Sequence, residues 1–128
     1  MATLSPIIKW SGGKKEEIKL FNQHIPKDID TYIETFAGGA ALFFHLKHGK
    51  NVINDVHTEL TDFYNSIKNG HSQDIHDFMS QHPNEEKTYY KVRDELPINT
   101  PLDNAKRFYY LRKTCFRGML RYNKKGKF

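Results

Sequence analysis

Apolar and polar residues change their spacing near residue 57. Before that point, short apolar runs are separated by glycine and proline turns. After it, apolar residues recur at intervals of three and four, the period of a helix face. Ser5–Lys14 reads as an apolar entry into a glycine turn, and the pattern predicts a helix near Lys14–Gln23 with Ile18 and Phe21 inward. Pro26 and Asp28 mark a turn. Thr31–Phe36 predicts a buried strand, Ala37–Ala40 a tight turn, Ala41–His48 a helix stopped by Gly49, and Asn51–Val56 a second strand. Two strands joined through a helix predict a parallel βαβ unit.

The second part reads as helical. Leu60, Phe63, Tyr64 and Ile67 share a face over Thr58–Asn69, with Gly70 as the stop, and Ile75, Phe78 and Met79 share one over Ser72–Gln81. Asn84 is the expected cap of a helix with Tyr89, Val92 and Leu96 inward. Asp103 is the expected cap of another that carries Phe108, Leu111 and Cys115. Phe116–Phe128, with its turn Asn123-Lys124-Lys125-Gly126, predicts a basic β-hairpin or a loop. The expected division is therefore 1–57, the start of a nucleotide-type α/β domain, and 58–128, a helical region ending in a basic element.

Composition narrows the function classes. The 128 residues include one cysteine, Cys115, which excludes a disulfide scaffold and a cysteine-built zinc site. Cys115 itself is expected in the core. No apolar run reaches transmembrane length, and the first residues lack a signal peptide's basic start and apolar stretch. The expected setting is the cytoplasm, without a membrane partner. The net charge of +5 is uneven. Nine of the 20 basic residues lie within Asn104–Phe128, where there is no acid, while the preceding stretch is acid-rich. Such an end suits a polyanion, or else simply solubilises the chain. His45 and His48, three apart, have no carboxylate or thiol to complete a metal site and read as surface residues, as do His71, His76 and His82.

The chemistry concentrates around glycines. Glu34-Thr35-Phe36-Ala37-Gly38-Gly39-Ala40 puts a glycine turn directly after the first strand, where backbone can approach a ligand at the mouth of a parallel sheet. Asp55 follows Gly38 by 17 residues, at the end of the next strand, where an acid can accept from ribose hydroxyls. The same residues also fit a structural role, with the glycines serving helix–strand packing and Asp55 capping a helix.

Together with Lys9-Trp10-Ser11-Gly12-Gly13-Lys14, these segments resemble the Dam-type adenine-specific DNA methyltransferases. That family has a Lys-Trp-x-Gly-Gly-Lys segment, a Glu-Pro-Phe-x-Gly-x-Gly-like loop, and then an acid at the end of the second strand. Thr114–Asn123 is similar to the family's Phe/Tyr-Asn-Gly-Leu-x-Arg-x-Asn segment, so the resemblance spans essentially the whole chain. It implies a partial Rossmann-like α/β fold that binds S-adenosylmethionine, with an inserted, mainly helical target-recognition region. It implies cofactor contacts from Trp10, Lys14, Glu34, Phe36, Gly38 and Asp55. Trp10 would lie near the adenine, Lys14 at polar groups, the Glu34–Gly39 loop around the methionine portion and Asp55 at the ribose. For Trp10 a core aromatic is the other reading. The implied partner is double-stranded DNA, contacted by Lys9, Arg117, Met119, Arg121, Lys124 and Lys125. Arg121 would read a guanine and Met119 would touch neighbouring bases. Lys124, Lys125 and Lys127 would meet phosphates, or else form a solvated turn.

The chain departs from the family pattern at four points. Thr35 replaces the loop's proline, Gly39-Ala40 alters its second half, and Arg117 stands where asparagine is common. The family's catalytic Asp-Pro-Pro-Tyr is absent, because the five prolines, at 6, 26, 83, 97 and 101, are never adjacent. The expectation is thus an N-terminal portion of a DNA adenine methyltransferase of the restriction–modification kind, with no catalytic residue of its own and inactive alone. Its strands would need the missing C-terminal half, and without it the chain is expected to self-associate. The alternative is a non-catalytic DNA-binding module or one half of a split enzyme.

Overall fold

A computed structural model describes residues 4–46, 49–119 and 121–128. The chain falls into two compact units, Met1–Val56 and His57–Phe128.

The first unit is built on two short parallel strands, β1 (Tyr32–Glu34) and β2 (Asn51–Ile53), paired Tyr32 to Asn51, Ile33 to Val52 and Glu34 to Ile53. The chain crosses between them through helix α2 (Ala41–Leu46), as the βαβ pattern requires. The expected end of α2, residues 47–48, lies outside the described residues, and His48 with it. Upstream, the expected helix over Lys14–Gln23 shortens to α1 (Ile18–Phe21), which tightens into a 3₁₀ turn, Asn22–His24. Ile18 is buried beneath it.

The strand prediction Thr31–Phe36 needs correction in length and in burial. Alternation puts Tyr32 and Glu34 on the half-buried face, while Ile33 is 62% exposed and its register partner Val52 is 52% exposed. The second strand likewise ends at Ile53 rather than Val56. Beyond β1 and β2, Asn54 N–H donates to the Glu34 carbonyl (2.8 Å) and Ala37 N–H to the Asn54 carbonyl (2.9 Å), so the ladder bends into the glycine loop.

The second unit centres on α3 (Thr58–Lys68) and α6 (Pro101–Thr114). Leu60 and Phe63 of α3 meet Ala105 and Phe108 of α6, all four fully or almost fully buried, and Phe63 stacks on Tyr109 at 5.2 Å. Polar ties flank this seam. Asn104 Nδ2 donates to Asp62 Oδ2 at 2.8 Å, and Arg107 lies 3.3 Å from Glu59. Helix α4 (Ser72–Gln81) buries Ile75, and its Phe78 and Met79 join the cluster of Val92, Tyr110 and Leu111. The Tyr110 hydroxyl, buried with its ring, donates to the Pro83 carbonyl at 3.0 Å.

Both predicted caps move. Helix α5 (Glu86–Tyr90) takes Glu85 rather than Asn84 at its cap position and continues into a wide turn, Lys91–Glu95, with Leu96 N–H reaching back to the Lys91 carbonyl. The widening keeps Val92 buried between Tyr89 and Leu96. Helix α6 is capped by Thr100, not Asp103. Asp103 is the third helical residue, and it returns the bond by accepting from Thr100 N–H at 3.0 Å while Thr100 Oγ1 accepts from Asp103 N–H at 3.1 Å. Pro101 at the first helical position reinforces this start. Cys115 follows the helix and is half-buried rather than core, though burial still raises its thiol above the usual value. Of the two alternatives for 116–128, hairpin or loop, the described residues form the loop, opened by a 3₁₀ turn (Phe116–Gly118).

Thr100→Ala should destabilise the second unit by about 1 kcal/mol, read as a lower midpoint in urea denaturation. The Thr100 hydroxyl holds the Asp103 carboxyl below its ordinary value, with the Asn99 and Thr100 amides assisting. A carboxyl lowered on folding contributes stability above its unfolded value that is lost as pH falls through the folded one. Asp103→Asn should therefore flatten part of the acid limb of the stability–pH curve while leaving the neutral limb's slope unchanged.

Candidate functional site

The six residues that the sequence resemblance assigns to a cofactor line one cavity of about 310 Å³ in the first unit: Trp10, Lys14, Glu34, Phe36, Gly38 and Asp55. The cavity sits where β1 and β2 end and α2 begins, the place at which an open parallel sheet offers its strand ends and a helix N-terminus. At its floor, Gly38 N–H donates to Asp55 Oδ2 at 2.9 Å. Asp55 is thus no helix cap. It pulls the glycine loop onto the end of the neighbouring strand.

The loop's shape explains its residues. Gly38 has φ +50°, and a Cβ there would lie 2.8 Å from Trp10 Cδ1 and 3.0 Å from Nε1, so only glycine lets the backbone lie against the indole. Gly39 also packs on Trp10, with a Cβ position 3.1 Å from the tryptophan's own Cβ. Trp10 is half-exposed, not a core aromatic, and its carbonyl accepts from Gly13 N–H at 3.0 Å to close the Gly-Gly turn. Ala40, fully buried, also adopts φ +52°, and the strain of a side chain in the left-handed region falls at the loop's altered second half.

Glu34 is the electrostatic feature of the cavity. Burial raises its carboxyl above the usual range, against the opposing pull of the Tyr32 hydroxyl and the Phe43 amide near the start of α2. Among the described residues, its buried Oε2 has no hydrogen-bond partner. Tyr32, two residues earlier on the same strand face, is raised strongly in turn by burial and by the carboxylate it donates to. Lys14 forms an exposed ion pair with Glu17 at 3.3 Å, a weak tie for a flexible side chain. Phe36 lines the cavity yet is largely exposed.

The residues assigned to DNA are all exposed. Lys9 belongs to the first unit, beside Trp10. Arg117, Met119, Arg121, Lys124 and Lys125 lie on the loop stretch of the second, where Arg117 adopts φ +54° and its guanidinium approaches the Phe116 ring at 5.1 Å. The basic run is not uniform. Arg107 is held by Glu59 within the α3–α6 seam, and Arg112 is half-buried over the Phe108 ring, where burial lowers its guanidinium. Reasoning from sequence missed Phe21 and Leu42 on the cavity wall and Tyr32, whose hydroxyl donates to Glu34. Phe21 had a signal in its helical spacing with Ile18. Tyr32 could have been found from its i, i+2 relation to Glu34. Among the described residues, no group of three or more His, Cys, Asp or Glu side chains gathers as a metal site, and no helix is long and apolar enough to cross a membrane.

Known proteins are similar over this same extent. The profile of the D12 class N6 adenine-specific DNA methyltransferases matches residues 10–128. The type II methyltransferase M.CviBI of Paramecium bursaria Chlorella virus NC1A is 58% identical over 127 residues, covering 98% of this chain and 48% of the viral protein. The type II methyltransferase M.MjaIII of Methanocaldococcus jannaschii is 36% identical over 98% of this chain and 50% of its own length. The DNA adenine methylase of Serratia marcescens is 29% identical over 94% of this chain and 46% of its own. The chain spans about half the length of the curated relatives it matches. A match that runs through the glycine loop, Asp55 and the basic loop alike means that the chain belongs to the D12 class N6 adenine-specific DNA methyltransferase family.

Proposed function

We propose that this chain carries the cofactor cavity and part of the DNA-reading surface of an enzyme that methylates the exocyclic amino group of adenine in duplex DNA, and that it does not complete the transfer alone. The observation that carries this reading is the convergence of Trp10, Lys14, Glu34, Phe36, Gly38 and Asp55 on one cavity. S-adenosylmethionine, when bound, supplies the methyl group from a sulfonium centre. The cavity suits it on two counts. Glu34 brings a buried acceptor oxygen lacking a partner among the described residues, and the Gly38 backbone lies where a side chain would close the floor. Glu34 would accept from the cofactor's ammonium, Asp55 from its ribose hydroxyls, and the Trp10 indole would lie along its adenine. Lys14 swings between Glu17 and the cofactor's polar groups.

On the DNA side, Arg121 offers a guanidinium fork to the two acceptors on a guanine's major-groove edge. Met119 supplies apolar contact to neighbouring bases. Lys9, Arg117, Lys124 and Lys125 meet phosphates, which give affinity without sequence information. Such a protein works where DNA is, inside the cell.

The remainder of the enzyme is the natural partner. Ile33 and Val52 face outward as a register pair, and Phe36 and Val56, which follow the two strands in sequence, are also exposed. An apolar sheet face of this kind is ordinarily covered. A segment equivalent to the other half of the longer relatives would cover it and bring the Asp-Pro-Pro-Tyr that orients the adenine.

Calorimetry with S-adenosylmethionine should detect binding that Asp55→Ala weakens at least about tenfold, the order of one lost charge-assisted hydrogen bond, and that Gly38→Ala weakens through the clash of its Cβ with Trp10. Duplex binding without cofactor binding would instead favour the DNA-binding module. Labelled-methyl transfer to duplex DNA by the 128-residue chain should stay at background, and transfer above it would refute the incomplete-enzyme reading. Sedimentation should show concentration-dependent self-association that Val52→Lys reduces. A monomer at all concentrations would count against the uncovered sheet face.

A further inference from the structure

The loop that carries Arg121 has no strand ladder among its described residues. Its turn is closed by backbone bonds, Asn123 N–H to the Lys127 carbonyl (2.7 Å) and Gly126 N–H to the Asn123 carbonyl (2.9 Å), and side-chain anchors tie it to the rest of the unit. At one end, Phe128 packs on the Val92, Tyr110 and Leu111 cluster, with Tyr89 at 6.5 Å. In the middle, the Asn123 side-chain oxygen accepts from Lys125 N–H (2.8 Å) and Lys127 N–H (3.1 Å), which closes the turn on itself. Just before that turn, the Tyr122 hydroxyl donates to Glu59 Oε2, and the Tyr122 ring meets His57 at 5.7 Å and Phe128 at 6.1 Å.

Glu59 is firmly placed. It stands in the first turn of α3, its other oxygen is 3.3 Å from Arg107 on α6, and His57 Nε2 lies 4.0 Å from the carboxylate. The Asn104–Asp62 bond locks α3 to α6 one turn further on. The Glu59–Tyr122 bond therefore ties the loop directly to the two-helix platform, one residue from Arg121.

We propose that Glu59, acting through the Tyr122 hydroxyl, is a positioning residue for sequence readout by Arg121. This rests on the reading of Arg121 as the guanine-contacting side chain. A bidentate contact to guanine tolerates only a small displacement of the guanidinium fork, whereas a lysine–phosphate contact tolerates a large one. Freeing Tyr122 should thus cost discrimination between DNA sequences and leave sequence-blind affinity nearly intact. A purely structural role would lower both together.

The test uses the 128-residue chain. A duplex library with a randomised centre is selected for the best-bound sequence. Affinities for that duplex and for poly(dA–dT), which has no guanine, are then measured by fluorescence anisotropy for wild type, Arg121→Ala, Tyr122→Phe, Glu59→Gln and the Tyr122→Phe/Glu59→Gln pair. Tyr122→Phe keeps the ring packing, and its thermal midpoint is measured alongside. The expected result is a loss of discrimination of about fivefold for Tyr122→Phe, the order of one ordinary hydrogen bond, with poly(dA–dT) affinity unchanged. The double variant should be no worse than Glu59→Gln. If Tyr122→Phe keeps wild-type discrimination while Arg121→Ala loses it, the positioning proposal falls and the base-reading role stands. If Arg121→Ala keeps discrimination, or wild type has none, both fall. An equal loss on both duplexes for Tyr122→Phe also overturns the proposal.

Discussion

The bond from Gly38 N–H to Asp55 Oδ2 is the constraint on which the first unit depends. Two three-residue strands are too short to fix a loop by their ladder alone. The regular ladder ends at Glu34 and Ile53, and the Asn54 and Ala37 amides extend it only to the start of the glycine loop. Asp55 supplies a further fixed point, since its side-chain oxygen accepts from the Gly38 amide across the strand ends. With the loop held there, Gly38 and Gly39 lie against Trp10, and the cavity has its floor. The glycines and the aspartate are thus structural and site-forming together, because the same placement that closes the loop also exposes the strand ends.

In the second unit the α3–α6 seam plays the corresponding part. Its apolar centre, Leu60, Phe63, Ala105 and Phe108, borders the half-buried ion pair of Glu59 and Arg107 at its margin. Partial burial makes such a pair costly to break from one side, since the remaining charge would lose its partner without regaining full hydration. The capping box at Thr100 and Asp103 fixes where α6 starts and so brings Asn104 and Arg107 into register with Asp62 and Glu59. Local chain chemistry at one helix end is in this way converted into a long-range polar contact.

The sequence made legible what depends on spacing. Leu60 and Phe63, Ile75, and Phe108 with Leu111 are buried as their periodicity requires, and the parallel pairing of β1 and β2 followed from a helix between two strands. It misjudged what depends on alternatives at neighbouring positions. Asp103 is a good cap by type, but Thr100 sits three residues earlier with Pro101 behind it, and the reciprocal bond uses both. Ile33 is a good core residue by type, but alternation commits it to a face that the described residues do not cover. Tyr122 with Glu59 lay beyond sequence reasoning because the two are 63 residues apart and neither belongs to a periodic pattern.

The charge asymmetry shows why composition is an incomplete guide to a binding surface. Nine cations without an acid between Asn104 and Phe128 look like one electrostatic feature. Folding separates them. Arg107 is paired with Glu59, and Arg112 lies half-buried with its guanidinium over the Phe108 ring. Arg117, Arg121, Lys124, Lys125 and Lys127 remain exposed on the loop. The same asymmetry therefore has two physical sources. Part of it completes a helix–helix seam whose matching acid lies in α3, outside the basic stretch. The rest is surface charge, and only that part is available to a polyanion. Because Glu59 serves the seam through one oxygen and Tyr122 through the other, the internal cation and the exposed ones are joined through a single carboxylate.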